Sequence, residues 1–229
     1  SDMVVEQPWI KEIDVNPLLV SPERHVVLDA RMILHDPRTP ESDLPRPAIR
    51  PYPTQYVAPW TAKNGSAFLI RPIRPEDEPL LVAFHRTLSD RSVAFRYFHA
   101  MKYSARVAHE RLIRMCFIDY DREMALVAER DNPETGEPEI LGVGRLSQAR
   151  WNDEGDAEFA LIVSDHIQGQ GLGIELLRRL IQVGRDENLH GIFGDILREN
   201  QSMQRICEKL GFTLSRIAGE SLVRAVLTL

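Results

Sequence analysis

Glycine is missing from the first 64 residues: all thirteen glycines lie at or after Gly65, whereas ten of the fifteen prolines precede residue 61. The early part of the chain therefore has no glycine turns, and proline and glycine divide the sequence into two unequal parts. Cysteine is scarce. Cys116 and Cys207 are too few for a disulfide framework and have no paired metal-ligand spacing, so a reducing compartment and no metal site are expected. No apolar run approaches the ~20 residues of a membrane-spanning helix. The amino-terminal residues show no basic, apolar, small-residue signal pattern. A cytoplasmic protein with no membrane partner is expected. A basic excess is also absent: 28 Lys and Arg against 34 Asp and Glu give a net charge of −6. That balance speaks against nucleic acid as a partner and suits a basic one, such as a lysine-bearing surface.

What is present is ordinary for a core-forming chain, with 43% apolar and 27% charged residues. Residues 1–35 carry two strand-like runs, WIKEIDVNPLLVS and HVVLDARMIL, joined by the turn-prone SPER. Residues 36–63 are proline-rich with little apolar periodicity and read as an extended linker, its end pinned by Tyr52, Tyr56 and Trp60. From 64 to 229 the pattern is mixed α and β, predicting an α+β domain. AFLIRPI alternates as a strand, and PEDEPLLVAFHRTL, DRSVAFRYF and SARVAHERLIRM follow at helical spacing. EMALVAER and EILGVGRLSQ form a predicted hairpin around DNPETGEP, followed by strand AEFALIV and helix GIELLRRLIQVGRDE. Strand GIFGDIL, helix NQSMQRICEKL and strands FTLSRI and SLVRAVLTL complete the order.

The most informative stretch is AEFALIVSDHIQGQGLGIELLRRL, a strand, a short loop with Gly169, Gly171 and Gly173, and an amphipathic helix. A helix start exposes main-chain N–H groups and the positive end of the dipole, and glycine admits an anion closely, so a phosphate is the natural guest. The alternative is a tight strand-to-helix connection that uses glycine only for turning. The Walker pattern is excluded because Ile174 and Glu175 follow Gly173 where Lys and Ser/Thr are required. The dinucleotide fingerprint is excluded because Ile174 stands at its sixth position.

Gln168, Gly171 and Gly173 match the GNAT acetyltransferase motif Gln/Arg-x-x-Gly-x-Gly/Ala. Asn200 followed by Leu210-Gly211-Phe212 resembles that family's second signature, and the element order over 64–229 is similar to the family's. The resemblance implies a GNAT fold, a mixed and mostly antiparallel sheet flanked by helices, and acetyl-CoA as co-substrate. It implies that main-chain amides from Ile167 through Gln168, Gly169, Gln170, Gly171, Leu172 and Gly173 hold the pyrophosphate. The pantetheine arm would lie along Leu161, Ile162 and Val163, between that strand and Gly191–Leu197, with Asn200 and Met203 near the thioester. Asn200 is equally suited to capping the helix that follows it.

An amine acceptor needs a base, because a lysine of reference pKa ~10.4 is protonated at neutral pH. Glu158 is the one carboxylate within the strand AEFALIV, on the face of Ala160 and Ile162, where burial in a cofactor cleft could desolvate it. It could also be a solvated strand-edge glutamate. The stretch from Ala157 to Gly173 is similar to that of bacterial protein lysine acetyltransferases, which implies Glu158 as catalytic base; Asp156 and Asp165 are nearby alternatives, each at a strand end and expected to be solvated. Where many GNAT enzymes carry a tyrosine acid this chain has Cys207, read as a small buried apolar residue. Arg96, Arg145 and Arg198 could steer an anionic ligand or be solvated or salt-bridged.

EIDVNPLLVSPERHVVLDAR resembles the end of the ATP-grasp region of ADP-forming acyl-CoA synthetases, with Asn16 and Asp29 at that family's Mg²⁺ positions. Two ligands without the rest of that fold do not make a metal site. The combination is similar to protein lysine acetyltransferases with a synthetase-like region, of which this chain is expected to be the carboxy-terminal part. The acceptor so implied is a protein lysine, that of AMP-forming acetyl-CoA synthetase. Two other readings stay open: a small-amine N-acetyltransferase, and a non-catalytic acyl-CoA-sensing module. The shape and charge of the cleft formed by residues 76–115 would discriminate between acceptors.

Overall fold

A computed structural model describes residues 3, 7–40, 43–45, 50–148, 155–217 and 219–229. The chain divides into two units, 1–51 and 52–229. The first unit contains β1 (Ile10–Val15), β2 (Leu18–Val20), β3 (His25–Val27) and β4 (Ala30–Leu34), with β1 antiparallel to β4 and β2 to β3. Two unbroken strands were expected. Instead Pro17, which has no N–H to give the ladder, divides the first run. The turn forms at SPER, where Ser21 Oγ accepts the N–H groups of Glu23 and Arg24 at 3.3 and 3.2 Å. Asn16 and Asp29 meet through the main chain, Asn16 N–H donating to Asp29 O at 3.2 Å.

The second unit is built on β5 (Ala58–Thr61), β6 (Ala67–Pro72), β7 (Glu123–Asp131), β8 (Pro138–Gln148), β9 (Asp156–Val163), β10 (Gly191–Leu197), β11 (Thr213–Arg216) and β12 (Leu222–Thr228). They form one sheet in the order β11-β12-β10-β9-β8-β7-β6-β5. Every neighbouring pair is antiparallel except β9 and β10. Within the proline-rich stretch 36–63, residues 41, 42 and 46–49 lie outside the described residues, and its end is not linker but the edge strand β5. Pro59 is tolerated there because an edge strand has one side that needs no donor. Tyr52 Oη donates to Pro72 O at 2.9 Å, and the Trp60 ring lies 5.7 Å from Phe68.

The helices are α1 (Glu78–Arg86), α2 (Asp90–Tyr97), α3 (Tyr103–Arg106), α4 (His109–Cys116), α5 (Leu172–Asp186) and α6 (Gln201–Lys209). The single helix expected over SARVAHERLIRM is broken into α3 and α4. Arg106 and Leu112 are both buried, yet six residues apart on one continuous helix they would face well apart, so the break lets both turn inward. Helix α5 follows its predicted span and packs Leu172, Leu176, Leu177 and Leu180 against one sheet face together with Cys207 of α6. Helices α1, α2 and α4 cover the other face through Leu81, Phe84, Val93 and Leu112 against Val127, Val143 and Ile162. Each fully buried leucine contributes about 2 kcal/mol of transfer free energy, so both layers are well fastened. None of the described helices is long and apolar enough to cross a membrane.

The feature that makes a site is the parallel pair. β9 and β10 stay paired only from Asp156 to Glu158 opposite Gly191 to Phe193, and then part. Phe159 is the wedge. A Cβ on Gly194 would lie 2.6 Å from its ring, so only glycine lets the ring lie over the β10 backbone, edge-on to Phe212 at 5.3 Å.

Candidate functional site

The gap between β9 and β10 opens into a cavity of about 390 Å³. Its size suits an elongated small-molecule group rather than a water or two. Of the residues expected at a cofactor, Leu161, Ile162, Val163, Ile167, Gln168, Gly169, Leu172, Gly173, Asn200 and Met203 line it, and so does Glu158. Gln170 and Gly171 do not line it; they turn toward the edge hairpin. Lys63 N–H donates to Gln170 O at 3.1 Å, and the Gly171 Cα approaches Trp60 closely enough that a Cβ would touch the indole at 3.5 Å.

The loop from β9 to α5 begins as a single 3-10 turn over Asp165–Ile167. That turn consumes two of the amides expected to face a ligand: Ile167 N–H donates to Ser164 O at 3.1 Å and Gln168 N–H to Asp165 O at 3.4 Å. The free row starts one residue later. Among the described residues nothing accepts a hydrogen bond from the N–H groups of Gly169, Gln170, Gly171, Leu172, Gly173 or Ile174. Gly169 at φ +77° and Gly171 at φ +97° both need the left-handed region, and Gly171 is the residue before the helix. Six successive donors without an acceptor at the positive end of a fifteen-residue helix are able, by elementary electrostatics, to receive an anion.

The loop is braced from outside. The Gln168 side chain donates to Val163 O and to Ser92 Oγ, both at 3.1 Å. The Asp165 carboxylate accepts from Ser89 N at 2.9 Å, Ser89 Oγ at 2.7 Å and Ser92 Oγ at 3.0 Å. Asp165 was expected to be merely solvated; although exposed, it ties the start of α2 to the loop. Partial burial alone would raise its pKa, but the hydrogen bonds from Ser89 and Ser92 outweigh it and hold the carboxyl below its usual range.

Glu158 sits where β9 and β10 separate, opposite Ser147 on β8 and Phe193 on β10. Its side chain is exposed, so in the protein alone the expected desolvation is not present. Among the described residues it makes no hydrogen bond or ion pair. Asn200 caps α6, its Oδ1 accepting Met203 N–H at 3.1 Å, and lines the cavity as well, so capping and a place beside a ligand coexist. Cys207 is fully buried and does not line the cavity, and burial and then Glu208 push its thiol up to about 12, a weaker acid than a free thiol.

Sequence reasoning missed Arg91, Ser92 and Phe95, which reach the cavity from α2; the serine cap at Ser89 was the only local sign of that helix's orientation. Of the arginines singled out, Arg145 is bound to Glu123 at 2.6 Å and Arg198 reaches Ile217 O at 3.4 Å. Arg96 lines the cavity and has no ion pair among the described residues.

Comparison with known proteins agrees with this geometry. The family model for the acetyltransferase (GNAT) domain matches residues 68–213, and a model for the ATP-grasp domain matches residues 1–34. An acetyltransferase from Pseudomonas aeruginosa is 32% identical over 158 residues, 69% of this chain and 81% of that protein. The crystal structure of the GNAT domain of S. lividans PAT superposes with a TM-score of 0.68 at 24% identity, covering 78% of this chain and 99% of that one. The structure of yncA, a putative acetyltransferase from Salmonella typhimurium with its cofactor acetyl-CoA, gives a TM-score of 0.51 at 21% identity, covering 72% and 95%.

Proposed function

The chain belongs to the GNAT acetyltransferase family, and from that premise we propose that this acetyl-CoA-dependent acetyltransferase modifies a lysine on a partner protein, with the active-site lysine of AMP-forming acetyl-CoA synthetase as the acceptor. The observation that carries the reading is the row of unpaired amides from Gly169 to Ile174 at the mouth of the gap where Glu158 stands. The acceptor assignment draws on the ATP-grasp match at 1–34 beside the GNAT domain, an arrangement that resembles protein lysine acetyltransferases with a synthetase-like region. We assign the reaction to the cytoplasm.

Acetyl-CoA supplies an acyl carbon activated as a thioester. The amides of Gly169–Gly173 hold the diphosphate, Leu161–Val163 line the arm, and Asn200 and Met203 flank its reactive end. At pH 7.4 only about one lysine in a thousand is neutral, so a base governs the rate. Glu158 takes a proton from the ammonium, directly or through one water, and the freed lone pair attacks the acyl carbon. The C–N bond forms, the attacking nitrogen gives up its second proton to water as the C–S bond breaks, and the departing sulfur takes a proton from solvent, because Cys207 does not line the cavity.

The test is incubation with acetyl-CoA and purified acetyl-CoA synthetase, followed by mass spectrometry of the synthetase. Acetylation of its active-site lysine with loss of its activity is expected. Unmodified synthetase, with free small amines acetylated instead, would overturn the acceptor assignment.

A further inference from the structure

The edge strand β5 carries a cation to the glycine loop. It is fastened to the start of α5 as well as paired with β6. Arg179 of α5 donates to Ala58 O and Pro59 O, both at 3.1 Å, and Lys63 N–H donates to Gln170 O at 3.1 Å. The connection from β5 to β6 is a tight turn, closed by Ala62 N–H to Ser66 O at 2.8 Å and Gly65 N–H to Ala62 O at 2.9 Å. Ala62 is buried, so the turn fixes where the Lys63 stem leaves the backbone. That stem lies over the loop: a Cβ built on Gly171 would be 3.9 Å from Lys63 Cε.

The charges around this helix start are otherwise spoken for. Glu175, in the first turn of α5, opposes an anion placed there. It is met by Arg178 and by Arg179, whose Nε donates to Glu175 Oε1 at 2.9 Å, so both guanidinium groups are committed to it. Lys63 is exposed, and among the described residues its ammonium has no carboxylate partner. Gly169, Leu172 and Gly173 line the cavity between β9 and β10, whereas Gly171 packs against Trp60 and Lys63. The amide row therefore runs from the cavity mouth to beneath Lys63. A diphosphate can follow that course, one phosphate inside the mouth and the other under the lysine. Lys63 also precedes residues 68–213, the span matched by the GNAT model, so it reaches the loop from a segment outside that match.

Resting on the placement of the acetyl-CoA diphosphate at the amides of Gly169–Gly173, we propose that Lys63 completes that site, its ammonium pairing with the outer phosphate of the diphosphate. The β5–β6 turn then clamps the cofactor from the side opposite the cavity. A compact charge on a flexible stem suits this task, because the amides already fix the position of the phosphate and the ammonium has only to reach it.

The experiment measures the affinity of the full chain for acetyl-CoA by calorimetry, in the wild type and in Lys63→Met, which keeps the stem and removes the charge. At low salt the variant is expected to bind about five- to tenfold more weakly, with a shallower dependence of affinity on salt. Lys63→Arg should restore most of the loss. The melting temperature without ligand should not move, because the side chain is exposed. Acetyl-dephospho-CoA, which lacks the 3′-phosphate and keeps the diphosphate, should suffer the same loss in Lys63→Met. An affinity for acetyl-CoA equal to that of the wild type would overturn the role of Lys63 and leave the diphosphate placement standing. A loss seen with acetyl-CoA and not with the dephospho compound would overturn the diphosphate as the partner of Lys63. Wild-type affinity for acetyl-pantetheine equal to that for acetyl-CoA would instead overturn the placement of the diphosphate on the amides.

Discussion

Replacing Glu158 with glutamine removes the base while leaving the shape. The fold should hardly notice, because the side chain is exposed and no described residue depends on it for a hydrogen bond, so a stability change within about 0.5 kcal/mol is expected. Catalysis should suffer. A positioned general base contributes roughly 10²–10⁴ in rate, or about 3–5 kcal/mol of barrier. The acetyl-CoA affinity should stay within about twofold, because the amides from Gly169 to Ile174 are untouched. The pH profile separates loss of a base from loss of geometry. Without Glu158 the reaction must wait for neutral lysine, whose population rises tenfold per pH unit below ~10.4, so log kcat/KM of the variant should climb with unit slope from pH 7 to 9. The wild type should be nearly flat over that range. Steady-state assays of free thiol release, backed by mass spectrometry of the acceptor, read both quantities. A variant of wild-type rate, or two profiles of the same shape, would refute the role of Glu158.

Three further outcomes follow from other parts of the site. Gly171→Ala forces a side chain into φ +97°, at roughly 1–2 kcal/mol, while its Cβ would make only ordinary contact with Trp60. Calorimetry should show weakened acetyl-CoA binding and melting should show lower stability. Asp165→Ala removes the acceptor of three hydrogen bonds from Ser89 and Ser92, so about 1 kcal/mol of stability and a several-fold rise in KM for acetyl-CoA are expected, with kcat little changed. His85 is buried, neither ring nitrogen has a hydrogen-bond partner among the described residues, and burial first, then Arg106 and Arg111, lowers its pKa to about 4. The unfolded chain takes up that proton near pH 6.5 and the folded one only near 4, so stability is full above 6.5 and falls by about 3 kcal/mol as pH drops through that window. His85→Leu should flatten that part of the melting-temperature profile and cost little at pH 7.

The parts of this molecule legible in the sequence were those with local causes. Strand β9, the glycines at the start of α5 and the amphipathic stripe of α5 are written in consecutive residues, and together they mark the glycine loop and the place of Glu158 on its strand. The edge strand β5 was hidden because Pro59 argues against a strand wherever position in the sheet is unknown. The latch of Asp165 to Ser89 and Ser92 spans 76 and 73 residues and has no periodicity to reveal it. The amide row shifted by two residues because a 3-10 turn, invisible to composition, consumes the first two donors.

The most direct measurement is the crystal structure of the chain with acetyl-CoA. The account predicts diphosphate oxygens within about 3.2 Å of the main-chain nitrogens of Gly169 to Gly173, with the arm running between β9 and β10 toward Glu158. A diphosphate bound elsewhere, with those amides still facing water, would contradict it.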